Sequence, residues 1–403
     1  MKAGKYILLS TLKDTFLNDL GNGYIREFEK NGATFIDYEE AYLEYGNRGV
    51  EEHVLKTARD KGAQVLVYQS SPSDFHFSIE FFRELQKRLF TVMTLGDSDH
   101  YFDLRDVYYG QCMDLVVVYD CLSRYRFNQY GMDAISFYSS FDGQRYAKDE
   151  AAEKDIDVSF VGDVAHKLER MEYIDFAEGN GVPVDVFGTG SKGGQVSLER
   201  MVEIFNRTKV NLNFTRISLK NAIRKEPQIN LRLRQIKGRI AEIALCGGFV
   251  LTEYVPGIEE VFEPGTEVVT FDSRKEFIER LKYYLAHDAQ REEIARRGHE
   301  RALRDYDVGR AIPGLVKRID AARAAKVKRP AQEIYIDPHF VRNYATFRMV
   351  MISRLIRQGR WAHVPEELST ILRSRNISLK KASGIFLFNL FPFLKKMYVA
   401  LGR

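Results

Sequence analysis

Cysteine is nearly absent. Only Cys112, Cys121 and Cys246 occur in 403 residues, none in a CxxC spacing. That argues against a disulfide framework or a cysteine-built zinc site, and suits a reducing cytoplasm. Long apolar runs are missing too: the most apolar stretch, ASGIFLFNLFPFL at 382–394, falls short of the ~20 residues a spanning helix needs. The opening MKAGKYILLST has too short an apolar core for a signal peptide and reads as a first β-strand. A three-glycine dinucleotide fingerprint is lacking, because LGNGYIREF at 20–28 has no third glycine and does not directly follow a strand.

What is present is ordinary for a soluble globular enzyme, with 45% hydrophobic and 29% charged residues. The length allows two α/β units with full cores plus an appendage. The net charge of +4 is unevenly spread: residues 331–403 carry +8 and residues 1–330 carry −4. A basic tail on a slightly acidic body suggests an anionic surface as partner, membrane or nucleic acid, with a solvated helical face as the plain alternative.

Apolar strands alternate with helical patterns along the first half: residues 5–10, 33–37, 64–68, 89–95, 114–119 and 134–138 read as strands. The polar stretch DGQRYAKDEAAEK, 142–154, is the expected linker. The pattern then restarts with strands at 157–162, 182–188 and 209–214, and Ser197 is placed to cap a helix. The expected architecture is α/β, with two tandem Rossmann-like units at 1–145 and 155–325 and a helical, basic and aromatic extension at 331–403.

The stretch around which the second unit turns is KGRIAEIALCGGFVLTEYVPGIEEVFEPGTEVVTF, 237–271. It reads as a helix stopped by Gly247-Gly248, a strand from Phe249, and a tight loop at Pro256-Gly257. A helix start with Glu259 and Glu260 in its first turn follows, where carboxylates suit the dipole. In open α/β sheets ligands bind at the loops leaving the carboxyl ends of strands.

Together with the DVSFVG strand, VPVDVFG, the helix before KVNLNF, and their order, this stretch resembles the nucleotide-binding domain of GT-B fold glycosyltransferases. The resemblance is nearest to the group-1 type, and within it to the branch typified by the spore-maturation protein CgeB. It implies a sugar-nucleotide-dependent transferase working in a cleft between the two units, without a metal or resident cofactor. By this resemblance Gly162 and Arg170 belong to the opening strand and loop of the donor unit. Glu242 would accept hydrogen bonds from ribose hydroxyls, Arg170 and Arg239, with Lys237 behind them, would neutralise the departing diphosphate, and Gly257 and Glu260 would lie near phosphate or sugar. The chain departs from the wider group eight residues before Glu242, where Arg234 stands in place of a hexose-contacting glutamate, while Arg239 and Glu242 fit the Arg-x-x-Glu arrangement of the CgeB-like branch.

The acceptor side is expected in the first unit, where Gly96-Asp97-Ser98-Asp99-His100 follows a strand. Asp97, Asp99 or His100 is the candidate to orient or deprotonate an acceptor hydroxyl. The plain alternative is a capping loop. The expected acceptor is a glycan, a lipid-linked intermediate or a protein. Other readings of the same fold are a nucleotide-sugar epimerase and a non-catalytic scaffold. No nucleic-acid-reading module is recognisable. In the tail, residues 382–394 lie between Lys380-Lys381 and Lys395-Lys396, so residues 380–403 either lie in an anionic membrane interface or dock on the body. The expected location is cytoplasmic, with a peripheral place on the inner membrane face where the tail binds lipid.

Overall fold

The computed structural model describes residues 5–11, 23–70, 75–96, 98–165, 167–216, 234–326, 335–374, 376–377, 379–391 and 393–394. Two parallel sheets dominate it. The first has six strands: β1 (Tyr6–Ser10), β2 (Thr34–Asp37), β3 (Val65–Gln69), β4 (Phe90–Leu95), β5 (Leu115–Val118) and β6 (Ala134–Ser136). Their order across the sheet is β2-β1-β3-β4-β5-β6. The second has β7 (Ile156–Val161), β8 (Asp185–Phe187), β9 (Thr208–Asn213), β10 (Val250–Glu253) and β11 (Val269–Phe271), ordered β11-β10-β9-β7-β8. Every pairing between these strands is parallel.

Parallel strands covered on both faces are buried along their whole length, which is why they read as continuous apolar runs. All residues of β1, β3, β4 and β5 are buried. The helices between them start where short polar side chains take up free backbone N–H groups. Asp37 accepts from Glu39 and Glu40, Ser78 from Phe81, Asp120 from Ser123, Ser197 from Arg200, and Ser273 from Glu276.

Each sheet carries apolar cores on both faces. On one face of the first sheet, Ile7, Leu66 and Met93 pack with Phe340, Met351 and Leu355 of the helix Pro338–Arg357. On the other, Leu8, Val67 and Val92 pack with Val308, Ile312 and Leu315 of the helix Val308–Ala325. The chain therefore returns to the first sheet after completing the second. The two passages lie side by side: Phe141 pairs with Asp307 in a parallel bridge, Phe141 N–H donates to the Tyr306 carbonyl at 2.9 Å, and Val308 N–H donates to the Phe141 carbonyl at 2.8 Å.

The extension is helical as its pattern predicts, with helices Pro338–Arg357, Val364–Ser374 and Leu379–Leu390. The first two close over the long helix Tyr38–Asp60, which changes direction at Gly46. A fully buried pair ties them down: Arg348 lies 3.6 Å from Glu367, and the Tyr42 hydroxyl donates to Glu367 at 2.8 Å. Arg348 also donates to the Phe75 and His76 carbonyls. The helix Leu379–Leu390 lies along Pro338–Arg357, with Ala382 buried and Leu387, Phe391 and Phe393 exposed. Among the described residues no helix is long and apolar enough to cross a membrane. Lys395 and Lys396 lie outside the described residues.

Candidate functional site

Two of the expected donor residues, Gly162 and Arg170, meet at the carboxyl end of β7. β7 ends at Val161 and runs into Gly162, whose N–H donates to the Phe187 carbonyl at the end of β8. Two bare backbones meet here. Gly188 has φ 114°, and a Cβ on it would fall 2.2 Å from the Gly162 carbonyl oxygen. Only glycine allows both the conformation and the approach. The chain thus presents a side-chain-free edge beside Arg170.

Arg170, in the helix Leu168–Gly179, is buried at 8% exposure. It lies over the Phe160 ring and donates to the Asp163 carbonyl at 3.0 Å, while its Nε has no hydrogen-bond partner. Burial pushes its guanidinium down to about 10, against the pull of Glu169 and Asp163, and the charge of Arg239 acts in the same direction as burial. A buried cation short of acceptors fits an anionic ligand.

The helix Arg239–Leu245 places Arg239 and Glu242 one turn apart. Arg239 pairs with Glu242 Oε2 at 2.6 Å and sits over the Phe205 ring. The Tyr146 hydroxyl donates to Glu242 Oε1 at 3.1 Å. Glu242 is 15% exposed and Arg239 25%, so both remain at the surface of the site.

Glu253, closing β10, was not foreseen. It is buried at 1% exposure and accepts from the Thr215 and Arg216 backbone N–H groups, the Thr215 hydroxyl and Arg216 Nε. Arg234 stands 3.6 Å away, and Arg216 and Arg234 pair in an antiparallel bridge. Glu253 therefore fixes the chain at 215–216 against Arg234, beside the strand ends. Its only sequence signal was its position at the end of a buried strand.

Gly257 and Glu260 sit apart from this group, against the first sheet. Gly257 has φ 90° and touches Cys121, and Glu260 pairs with Arg124 at 2.9 Å. Both line a cavity of about 330 Å³ with Tyr119, Tyr138 and Arg318. The structure thus brings Gly162 to Arg170 and Arg239 to Glu242, with the charge of Arg239 felt at Arg170, and puts Gly257 and Glu260 at the contact with the first half.

On the acceptor side, Asp97 lies outside the described residues, and only the backbone of Asp99 and His100 is described, in the turn Ser98–Tyr101. The loop follows β4, so it lies at the carboxyl edge of the first sheet. The Gln235 amide reaches the Gly96 carbonyl at 3.4 Å, bringing the loop's first residue to the second half. Behind it, a single π-helical turn, Phe102–Asp106, buries Arg105 and Asp106 as a pair at 2.6 Å. Burial pushes the Asp106 carboxyl upward against the opposing charge of Arg105. Among the described residues no three of His, Cys, Asp and Glu form a metal-ligand set.

Residues 167–313 match the family described as glycosyl transferase-like. No curated protein sequence matches the chain. Among solved structures, the chain is similar to HepE of Anabaena in complex with UDP, with a TM-score of 0.56 and 13% identity over 79% of this chain and 100% of that one. It is also similar to the sucrose-phosphate synthase of Thermosynechococcus elongatus, at TM-score 0.54 and 11% identity over 79% and 99% of the two chains. A glycosyltransferase from Rickettsia africae aligns at TM-score 0.51 and 8% identity over 80% and 100%. At such identities the likeness concerns the fold. With its two parallel sheets the chain has the GT-B fold of glycosyltransferases, and its residues 167–313 carry the glycosyl transferase-like family pattern.

Proposed function

We propose that the protein transfers a sugar from a nucleotide-sugar donor to a hydroxyl of a glycan, a lipid-linked intermediate or a protein. The observation that carries this reading is the neighbourhood at the ends of β7 and β8 and the head of the helix Arg239–Leu245. The carboxylate of Glu242 pairs with Arg239, whose charge is felt at the buried Arg170 beside the Gly162–Gly188 backbone edge. A nucleoside diphosphate offers matching groups: ribose hydroxyls for the carboxylate, and phosphate oxygens for guanidinium groups and free N–H groups. Charge held in place at the departing diphosphate is the main catalytic device such a site offers. The acceptor hydroxyl would enter from the β4 loop, where Asp97, Asp99 or His100 would orient or deprotonate it.

The test is a thermal-shift screen of the full chain against nucleoside diphosphates and their sugars, since a ligand bound only by the folded state raises stability by mass action. At least one should raise the melting temperature, and Glu242→Ala should abolish most of the shift. Equal shifts in wild type and variant would remove Glu242 from the site; no shift with any ligand would remove the donor reading.

We further propose that the extension meets an anionic membrane, because in sequence Lys380-Lys381 and Lys395-Lys396 flank the stretch that holds the exposed Leu387, Phe391 and Phe393. Sedimentation with anionic vesicles should fall on Lys380→Glu/Lys381→Glu. Equal sedimentation of the two forms rejects it.

A further inference from the structure

The polar stretch between the sheets carries a residue of the site. Tyr146 lies within it, is buried at 3% exposure, and directs its hydroxyl at Glu242 Oε1, 3.1 Å away. We propose that Tyr146 is a positioning residue for Glu242, holding the carboxylate in the orientation that receives the donor's ribose hydroxyls. This rests on the donor reading above.

A glutamate on a helix near a site's surface has free rotation at its terminal torsion, so its carboxylate plane is set only by its partners. Glu242 has one on each oxygen: the Tyr146 phenol on Oε1 and Arg239 at 2.6 Å on Oε2. Each oxygen has two acceptor directions, so each keeps one for a ligand hydroxyl. Arg239 alone would leave the plane free to swing about its one contact; the phenol on the second oxygen removes that freedom. Burial and the neighbouring Glu242 charge hold the Tyr146 phenol far above its ordinary range, so it remains a donor at any working pH.

Tyr146 is itself held from both sides. Its ring packs edge-on against Phe141 at 5.7 Å, and its N–H donates to the Asp142 carbonyl at 2.9 Å. The Asp142 side chain pairs at 2.7 Å with Arg26, from a helix of the first half. The carbonyl of the next residue, Ala147, accepts from the Asn206 side-chain amide of the second half at 3.0 Å. The orientation of Glu242 therefore depends on a segment anchored to both halves.

Tyr146→Phe keeps the ring and removes only the hydroxyl. The experiment measures binding of UDP, GDP and ADP, each beside its 2′,3′-dideoxy counterpart, to wild type and to Tyr146→Phe by calorimetry. Wild type should prefer the ribo form of its ligand, and the variant should lose about tenfold of that preference while binding the dideoxy form as before. A loss of affinity equal for both forms, or an unchanged preference, overturns the positioning role and leaves the donor reading standing. A wild type that does not distinguish the two forms, or binds none of the three diphosphates, overturns the Glu242 reading itself.

Discussion

A Cβ on Gly257 would fall 2.1 Å from the Sγ of Cys121, so the loop after β10 and the start of the helix Cys121–Gln129 meet with no room for a side chain. Gly257→Ala introduces both this clash and a left-handed conformation that costs about 1–2 kcal/mol on its own. Urea unfolding should show a lowered midpoint. Adding Cys121→Gly should recover the steric part and leave the conformational part. A Gly257→Ala/Cys121→Gly protein that recovers none of the lost stability would mean that the two halves do not touch here in solution.

Arg170 predicts a trade between stability and binding. Burial lowers its guanidinium to about 10, so the folded state pays for the charged form at neutral pH, a cost relieved only as pH rises past about 10. Replacing it with Met keeps the stem's contact with Phe160 and removes that cost. Without ligand, Arg170→Met should melt no lower than wild type. Its affinity for the nucleoside diphosphate should fall about tenfold or more, the worth of one charge-assisted hydrogen bond. A variant that melts lower yet binds normally would make Arg170 a structural residue.

Arg348 and Glu367 hold the extension to the body. Removing one partner of a buried ion pair typically costs about 3–5 kcal/mol, whereas replacing both with apolar residues is often close to neutral. Arg348→Ala should therefore lower the denaturation midpoint strongly, while Arg348→Met/Glu367→Leu should lie nearer to wild type. A double variant as unstable as Arg348→Ala would show that the carbonyls of Phe75 and His76, which also rely on Arg348, set the cost instead.

The sheets were legible in the sequence for a physical reason. Strands such as Val65–Gln69 and Phe90–Leu95 are buried on both faces, so their apolar runs survive any tertiary context. Ser197 and Ser273 announce helix starts because a cap is a local event, complete within four residues. Tyr146 could not be read this way, since it sits in a stretch polar enough to pass for a solvated linker and gains its meaning only from Glu242, ninety-six positions away. The pairing of Arg348 with Glu367 was hidden likewise, since it forms only where two helices close over Tyr42. Arg170 and Glu242 came from the ordered resemblance, and the structure adds which neighbours each one has.

The side-by-side passages at Phe141 and at Tyr306–Val308 turn the second sheet into an insert between the first sheet and the helix Val308–Ala325 that covers it. The chain leaves and re-enters through one doorway, and the two jambs are bonded to each other. A single scission in the exposed Glu150–Glu153 region would leave the insert attached by the return passage, so a nicked molecule keeps both sheets. The doorway stands five positions before Tyr146 in the chain, so the residue that faces Glu242 is set just inside it.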